Sequence, residues 1–138
     1  MALLGDKIVA KNANWKFNGS MVEHFERHVE KSVPLYNEGH ELITKLSDYF
    51  VKNDSLCYEL GSSTGKLSYK LAKHHEFRAA KFVGVEIEED MVSKANELYQ
   101  NSNLSFVCDD MNYMNLEKAD LIVSYYTIQF IHPKLRQE

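Results

Sequence analysis

The chain has 138 residues, of which 44% are hydrophobic and 26% are charged, and its formal net charge is -4 at pH 7. These values are typical of one globular domain with enough apolar material for a core. The negative balance excludes an overall field that attracts nucleic acid, although a local basic patch is compatible with it. No apolar run has the length of a membrane span, and the stretch MALLGDKIVAKN is interrupted by charge too early for a signal peptide.

The first 19 residues show no hydrophobic period, so we predict an irregular arm over residues 1–19 and one domain over residues 20–138. Ser20 and Glu23 have the spacing of a capping box, and apolar residues follow at four-residue intervals, which predicts a helix. Beyond Pro34, an amphipathic pattern from about Asn37 predicts a second helix that ends before KNDS.

Strand and helix patterns alternate in the rest of the chain. The predicted strands are SLCYEL, KFVGVEI, NLSFVCD and ADLIVSYYTI, and helices are predicted over residues 64–74 and 88–99. This alternation indicates an α/β fold with a parallel sheet flanked by helices. Ligands of such sheets bind beyond the carboxyl ends of the strands, so we expect the site there.

The first two strand ends carry polar and glycine residues. Gly61 and Gly65 enclose three hydroxyl residues where a strand turns into a helix, and backbone without Cβ atoms allows a ligand to come close beside a helix start. The Gly-x-x-x-Gly spacing differs from the Gly-x-Gly-x-x-Gly of dinucleotide sites, which makes NAD a minor alternative. Glu86 ends the second strand, 21 residues after Gly65, where an acidic side chain commonly accepts hydrogen bonds from a ribose.

The third and fourth strand ends suit a base and a reacting group. Asp110 and Met111 follow the third strand, and a carboxylate beside an apolar side chain suits an adenine. The fourth strand ends with Tyr125, Tyr126 and Thr127, and these residues are predicted to line the reacting end of a pocket. Taken singly, each feature also fits a tight turn, a solvated strand end or a loop opening, and only their joint order points to a nucleotide-like ligand.

Four segments in this order, ELGSSTG, GVEIEEDM, CDDM and SYYTIQF, resemble motifs one to four of the class I S-adenosyl-L-methionine (SAM) dependent methyltransferases. Two further segments, RHVEKSVPLYNE and TIQFIHPKLRQE, are similar to the carboxy-S-adenosyl-L-methionine (carboxy-SAM) synthase family, formerly described as tRNA wobble-uridine oxyacetate methyltransferases. The resemblance spans nearly the whole chain from Trp15. It implies a Rossmann-like fold of seven strands of which only the first four are present, and hence a C-terminally truncated chain.

The resemblance also assigns roles to residues. It implies that the glycine loop approaches the methionine moiety of SAM, that Glu86 binds the ribose, that Asp110 binds the adenine amine beside Met111, and that Tyr36 contacts the carboxylate end. Two positions depart from the family: Glu59 replaces its usual aspartate, and Tyr125 replaces an asparagine that helps to hold the extra carboxylate. The predicted cofactor-binding set is Tyr36, Glu59, Gly61, Ser62, Ser63, Gly65, Glu86, Ile87, Asp110, Met111 and Tyr125.

The resemblance implies a SAM-dependent transferase that moves a carboxyl group from prephenate to SAM, with carboxy-SAM then feeding tRNA modification and with no metal. It leaves the catalytic residues unassigned. One alternative is ordinary methyl transfer to tRNA or a small molecule. Another is a non-catalytic nucleic-acid or protein binding module, to which Lys66, Lys70 and Lys73 would contribute a basic stripe, although a solvated helix face has the same spacing.

Three expectations concern the protein's surroundings. The cysteines Cys57 and Cys108 lie in apolar runs without Cys-x-x-Cys or metal-ligand spacing, which indicates buried reduced thiols and a cytoplasmic location. The six histidines are scattered, so the sequence predicts no metal site and no histidine nucleophile. The apolar run LIVSYYTIQFI would form an exposed edge strand, so we expect self-association, in its simplest form a homodimer.

Overall fold

The structure, a computed structural model, describes residues 2–4, 8–11, 14–15 and 20–137, with side chains from residue 22 onward. In the N-terminal part, β1 (Ala2–Leu4), β2 (Ile8–Lys11) and β3 (Asn14–Trp15) form an antiparallel sheet in that order. The prediction of an irregular arm over residues 1–19 therefore differs from the structure in these residues, and its other positions lie outside the described residues. Strands of two to four residues are too short to produce a recognisable period.

Two helices precede the main sheet, as predicted. Helix α1 comprises Ser20–Ser32 and α2 comprises Tyr36–Ser47. Helix α1 ends just before the residue that precedes Pro34, because a proline disfavours helical backbone in that residue. Leu35 then adopts a left-handed conformation with φ of 56°, which turns the chain directly into α2.

The main sheet has four parallel strands in the order β6-β5-β4-β7, which confirms the predicted α/β fold. The chain moves outward from β4 to β5 and β6, and then returns to place β7 on the other side of β4. This reversal of strand order leaves a crevice at the carboxyl ends of the strands. The bounds are β4 (Leu56–Leu60), α3 (Lys66–His74), β5 (Lys81–Glu86), α4 (Glu89–Leu98), β6 (Leu104–Cys108) and β7 (Leu121–Val123).

The last strand is much shorter than predicted. The sequence pattern favours a strand over residues 119–128, whereas β7 has three residues. Tyr126 has φ of 53°, which is incompatible with an extended strand, and a 3-10 helix, Ile128–Phe130, follows it. A second 3-10 helix, Pro133–Leu135, follows near the end of the described residues. The segment after β7 therefore bends across the end of the sheet.

The core lies between α3 and the sheet. Leu67 and Leu71, four residues apart on one face of α3, are each 2% exposed and pack in a cluster with Phe82 and Cys57. Cys108, by contrast, is exposed, which corrects the prediction of two buried thiols. Within the described residues, β6 pairs with β5 alone and is an edge strand. No helix within the described ranges combines the length and apolarity of a membrane span.

Gly84 on β5 allows a prediction about packing. A Cβ atom there would lie 2.6 Å from Cδ1 of Phe106 and 2.9 Å from Cβ of Ser62. Because this part of the core is full, we expect Gly84→Ala to lower the free energy of unfolding by about 1–3 kcal/mol in urea titration. In a protein that already carries Phe106→Leu, which makes room at this point, Gly84→Ala should lower the free energy of unfolding by less than it does in the unchanged protein. Strictly additive losses would contradict the predicted clash.

Candidate functional site

A cavity of about 480 Å³ opens at the carboxyl ends of the four main-sheet strands. Its volume is within the range of small-molecule sites, roughly 300–1,000 Å³. The loops after β4, β5, β6 and β7 form one side of it, and one face of α1 and α2 forms the other. Ten of the eleven predicted cofactor-binding residues line the cavity: Tyr36, Glu59, Gly61, Ser62, Ser63, Glu86, Ile87, Asp110, Met111 and Tyr125.

Gly65 is the exception. It precedes α3 with φ of 86°, and a Cβ atom there would collide with the Phe106 ring. Gly61 does line the cavity and has φ of 81°, but a Cβ atom there would collide with the side chain of Thr127. Glycine is therefore needed at both positions, because the backbone there is left-handed and the neighbouring side chains leave no room for a Cβ atom. Close approach of a ligand to Gly61 stays a prediction.

Ser62 presents an unsatisfied polar group at the cavity. The residue is only 4% exposed, and its Oγ is buried without a hydrogen-bond partner among the described residues. A buried hydroxyl without a partner carries a desolvation cost of about 1–3 kcal/mol. A polar group of a bound ligand would satisfy it, so Ser62 fits the predicted contact with a polar cofactor.

Glu86 organises the loops around itself. Its Oε2 accepts a hydrogen bond from the backbone N–H of Ser63 at 2.9 Å, and its Oε1 accepts from the N–H groups of Ile87 at 2.9 Å and Glu88 at 3.1 Å. Burial raises the pKa of the Glu86 carboxyl, and these three hydrogen bonds oppose that change. A carboxylate has about four acceptor positions, so one stays available for a hydroxyl of a ligand.

Asp110 has a similar local arrangement. Its Oδ1 accepts hydrogen bonds from the backbone N–H of Asn112 at 2.9 Å and from the side-chain Nδ2 of the same residue at 2.7 Å. These bonds hold the carboxyl group beside Met111, which also lines the cavity. In the part of the chain that the structure describes, Oδ2 accepts no hydrogen bond, so it is the atom left for an exocyclic amine.

Glu59 lies at the floor of the cavity. It is 7% exposed and accepts a hydrogen bond from the hydroxyl of Ser68 on α3. Burial raises the pKa of its carboxyl to about 8, with a smaller contribution from Glu86 and an opposing one from the Ser68 hydrogen bond. At neutral pH the group is therefore mostly protonated. A cation placed beside it would favour its ionisation.

An aromatic group closes the end of the cavity next to α2. The rings of Tyr36 and His40 have centroids 4.3 Å apart, and those of His40 and Tyr125 are 5.5 Å apart. The Tyr125 hydroxyl donates weakly, at 3.4 Å, to the carbonyls of Leu35 and Tyr36. A Cβ atom at Gly39 would collide with that hydroxyl, so the glycine provides a notch in α2 that admits Tyr125.

His40 was not among the predicted residues. It is 1% exposed, lines the cavity, and its Nδ1 has no hydrogen-bond partner among the described residues. Burial, with smaller contributions from Lys70 and Lys66, lowers the pKa of its imidazole to about 4, so the ring is neutral at physiological pH. Its sequence neighbourhood contains no signal beyond its position on a helix, and only the packing of α2 reveals it.

Helix α1 covers the cavity through apolar side chains and is held by carboxylates. Phe25 and Val29 line the cavity; the sequence period places them on a buried face without indicating what they cover. Glu26 accepts hydrogen bonds from Thr64 at 3.0 Å and Tyr99 at 2.5 Å. Glu30 pairs with Lys66 at 2.5 Å. These contacts fasten α1 to the loop after β4, to the first residue of α3 and to the residue that follows α4.

The methyltransferase domain family matches residues 58–138 of the chain. The carboxy-S-adenosyl-L-methionine synthase of Desulfotalea psychrophila is 31% identical over 129 residues, which cover 91% of this chain and 53% of that protein. The synthase of the same name from Pasteurella multocida is 28% identical over 133 residues, covering 94% of this chain and 55% of the relative. The chain spans about half the length of these curated relatives.

Solved structures with the same fold agree with this match. A protein of Methanococcus maripaludis that is assigned as a SAM-dependent methyltransferase superposes with a TM-score of 0.67 at 21% identity, covering 91% of this chain and 57% of its own. The plantazolicin methyltransferase BpumL, solved with S-adenosyl-L-homocysteine, gives 0.63 at 16% identity over 85% of this chain and 46% of its own. At these identities the likeness establishes the fold alone. The family match covers more than half of the chain, and the chain therefore belongs to the methyltransferase domain family.

Proposed function

We propose that the chain binds SAM in the cavity and acts as a SAM-dependent transferase of the carboxy-SAM synthase type. The observation that carries the proposal is the convergence of ten expected residues on a single cavity: nine lie at four separate strand ends, and the tenth, Tyr36, was implied by the resemblance. The names of the curated relatives support the carboxyl-transfer reaction. Prephenate as the carboxyl donor, and tRNA modification as the use of the product, are parts of this proposal.

The residues would divide the cofactor among them. Glu86 would accept hydrogen bonds from the ribose hydroxyls, and Asp110 would accept one from the adenine amine while Met111 packs against the ring. Ser62 would bind the methionine moiety with its unpartnered hydroxyl. Bound SAM supplies an activated one-carbon group on a positively charged sulfur. The protein's task is then to orient that group towards the acceptor and to exclude water from it.

Ordinary methyl transfer is the second candidate, and one observation favours it. The described residues at the aromatic end offer few positive charges to a dicarboxylate such as prephenate: Lys66 is paired with Glu30, and His40 is neutral. Tyr125, at the position of the family's asparagine, directs its hydroxyl to backbone carbonyls of α2. A neutral acceptor would suit such an end better than an anionic one.

The binding-module alternative has less support. Of the proposed basic stripe, Lys66 pairs with Glu30 at 2.5 Å and Lys73 with Glu76 at 2.6 Å. Both cations therefore have anionic partners on the protein, which weakens their attraction for phosphate. These pairs are what a solvated helix face would show.

A product assay tests the reaction. Incubation of the protein with SAM and prephenate should give carboxy-SAM, detected by mass spectrometry at the mass of SAM plus CO₂, because the carboxyl group replaces one hydrogen of the methyl group. Methyl transfer would instead appear as S-adenosyl-L-homocysteine and a methylated acceptor, with no carboxy-SAM. Absence of carboxy-SAM, in a sample shown by calorimetry to bind SAM, would reject carboxyl transfer from prephenate by this chain.

Substitution of Asp110 tests the binding geometry. We expect Asp110→Ala to weaken SAM binding by about 1–3 kcal/mol in isothermal titration calorimetry, because a buried amine of the ligand would lose its acceptor. Glu97→Ala is the matched control, since that carboxylate is exposed on α4 and does not line the cavity. Equal affinities for SAM in the two variants would remove the adenine contact from the proposal.

Glu59 predicts how the affinity for SAM depends on pH. SAM carries an ammonium and a sulfonium, and a cation beside Glu59 binds best when that carboxyl is ionised. Below its pKa of about 8 the group must first lose its proton, so the affinity should rise between pH 6 and pH 8 and level off above pH 8. Glu59→Gln should abolish this component and leave only the titration of SAM itself. Identical pH profiles for the two proteins would contradict the assignment.

A further inference from the structure

A group of metal-ligating side chains lies at the ends of α2 and α3 that are remote from the cavity. Asp48 follows the last residue of α2; His74 is the last residue of α3, and His75 follows it. Tyr36 and Lys66, which line the cavity, are the first residues of the same two helices. At about 1.5 Å per residue these helices are roughly 18 and 13 Å long, so the group is separate from the candidate site.

The three ligand atoms of the group are near enough to surround one metal ion after small side-chain rotations. Each of the three residues offers one nitrogen or oxygen atom, and the three atoms lie within 4.8 Å of one another. His74 Nε2 and Asp48 Oδ1 are 2.9 Å apart. Ligand atoms around a tetrahedral Zn²⁺ are about 3.3 Å apart, given bonds of about 2.0–2.1 Å. The side chains of His74 and Asp48 are 37% and 49% exposed, so both have room to rotate by the small amount required.

His75 is held as a metal-binding imidazole would be. Ser47 Oγ donates its only proton to the carbonyl of Thr44 at 2.6 Å, so at the 2.7 Å contact with His75 Nε2 it acts as the acceptor. The proton of a neutral His75 ring therefore lies on Nε2, and Nδ1 keeps its lone pair. Stacking on Phe82, with ring planes 9° apart, fixes the ring itself. A fixed tautomer with an outer hydrogen bond is the usual setting of a histidine ligand.

We propose that Asp48, His74 and His75 bind one divalent transition-metal ion, such as Zn²⁺, through one carboxylate and two imidazoles. This donor set suits zinc and its neighbours and leaves a coordination position for water. The ion fastens the end of α2 to the end of α3. Because α2 carries Tyr36 and His40 into the wall of the cavity, the metal steadies that wall without taking part in the chemistry. A simple ion pair accounts for the contact of His74 with Asp48, but it does not use the ligand atom that His75 places within 4.8 Å of both.

The test uses untagged protein that has been treated with a chelator and dialysed. Titration with Co²⁺, followed by visible absorption, and with Zn²⁺, followed by calorimetry, should each show one ion per chain. Zn²⁺ should also raise the Tm. His74→Ala and Asp48→Asn should each weaken binding by at least about tenfold, since each removes one of three protein ligands. Both side chains are exposed, so both variants should fold.

His24→Ala is the matched control, because it removes an exposed histidine of α1 that is not part of the group. Its metal affinity should equal that of the unchanged protein. Absence of a Co²⁺ absorption band together with absence of Zn²⁺ binding heat would overturn the proposal. So would a metal affinity in His74→Ala equal to that in His24→Ala, because binding would then occur elsewhere.

Discussion

The parallel pairing of β4 with β5 on one side and β7 on the other is the constraint on which the rest of the structure depends. Glu59 stands opposite Gly84 on β5 and Val123 on β7, so the three strands end at the same edge of the sheet. Every loop that leaves a strand there faces the same crevice. Residues more than sixty positions apart thereby line one cavity, and the helices α1 and α2 have only to cover it.

Glycines make this crowded edge possible. Gly39 admits the Tyr125 ring into α2, Gly61 admits Thr127, and Gly84 lies under the ring of Phe106. In each case the absent Cβ is replaced by a side chain from a distant part of the sequence. The main role of these glycines is therefore to let distant segments pack together. A ligand can approach the bare backbone only where that packing leaves room.

Among the described residues that line the cavity, carboxyl groups outnumber lysines and arginines, and several carboxyls are hydrogen-bonded or protonated. Backbone N–H groups surround Glu86, burial keeps Glu59 mostly protonated, and Tyr99 with Thr64 donates to Glu26. A cavity of this kind favours a ligand that brings positive charge, and SAM is such a ligand. The same balance disfavours an acceptor with two negative charges, which is why the identity of the transferred group is the main question for the proposed function.

The sequence by itself determined the order of helices and strands from α1 onward, because hydrophobic period and turn chemistry are local properties. It also marked polar strand ends, and the resemblance to a known family turned these into a set of expected site residues. Tertiary structure alone decided the length of β7, the exposure of Cys108, the place of His40 in the wall and the packing of Tyr125 against Gly39. It also brought Asp48 to His74, 26 residues away. Such pairings depend on which surfaces meet when the helices pack against the sheet and each other. A local sequence pattern indicates that a face is buried, but it does not indicate which other segment covers that face.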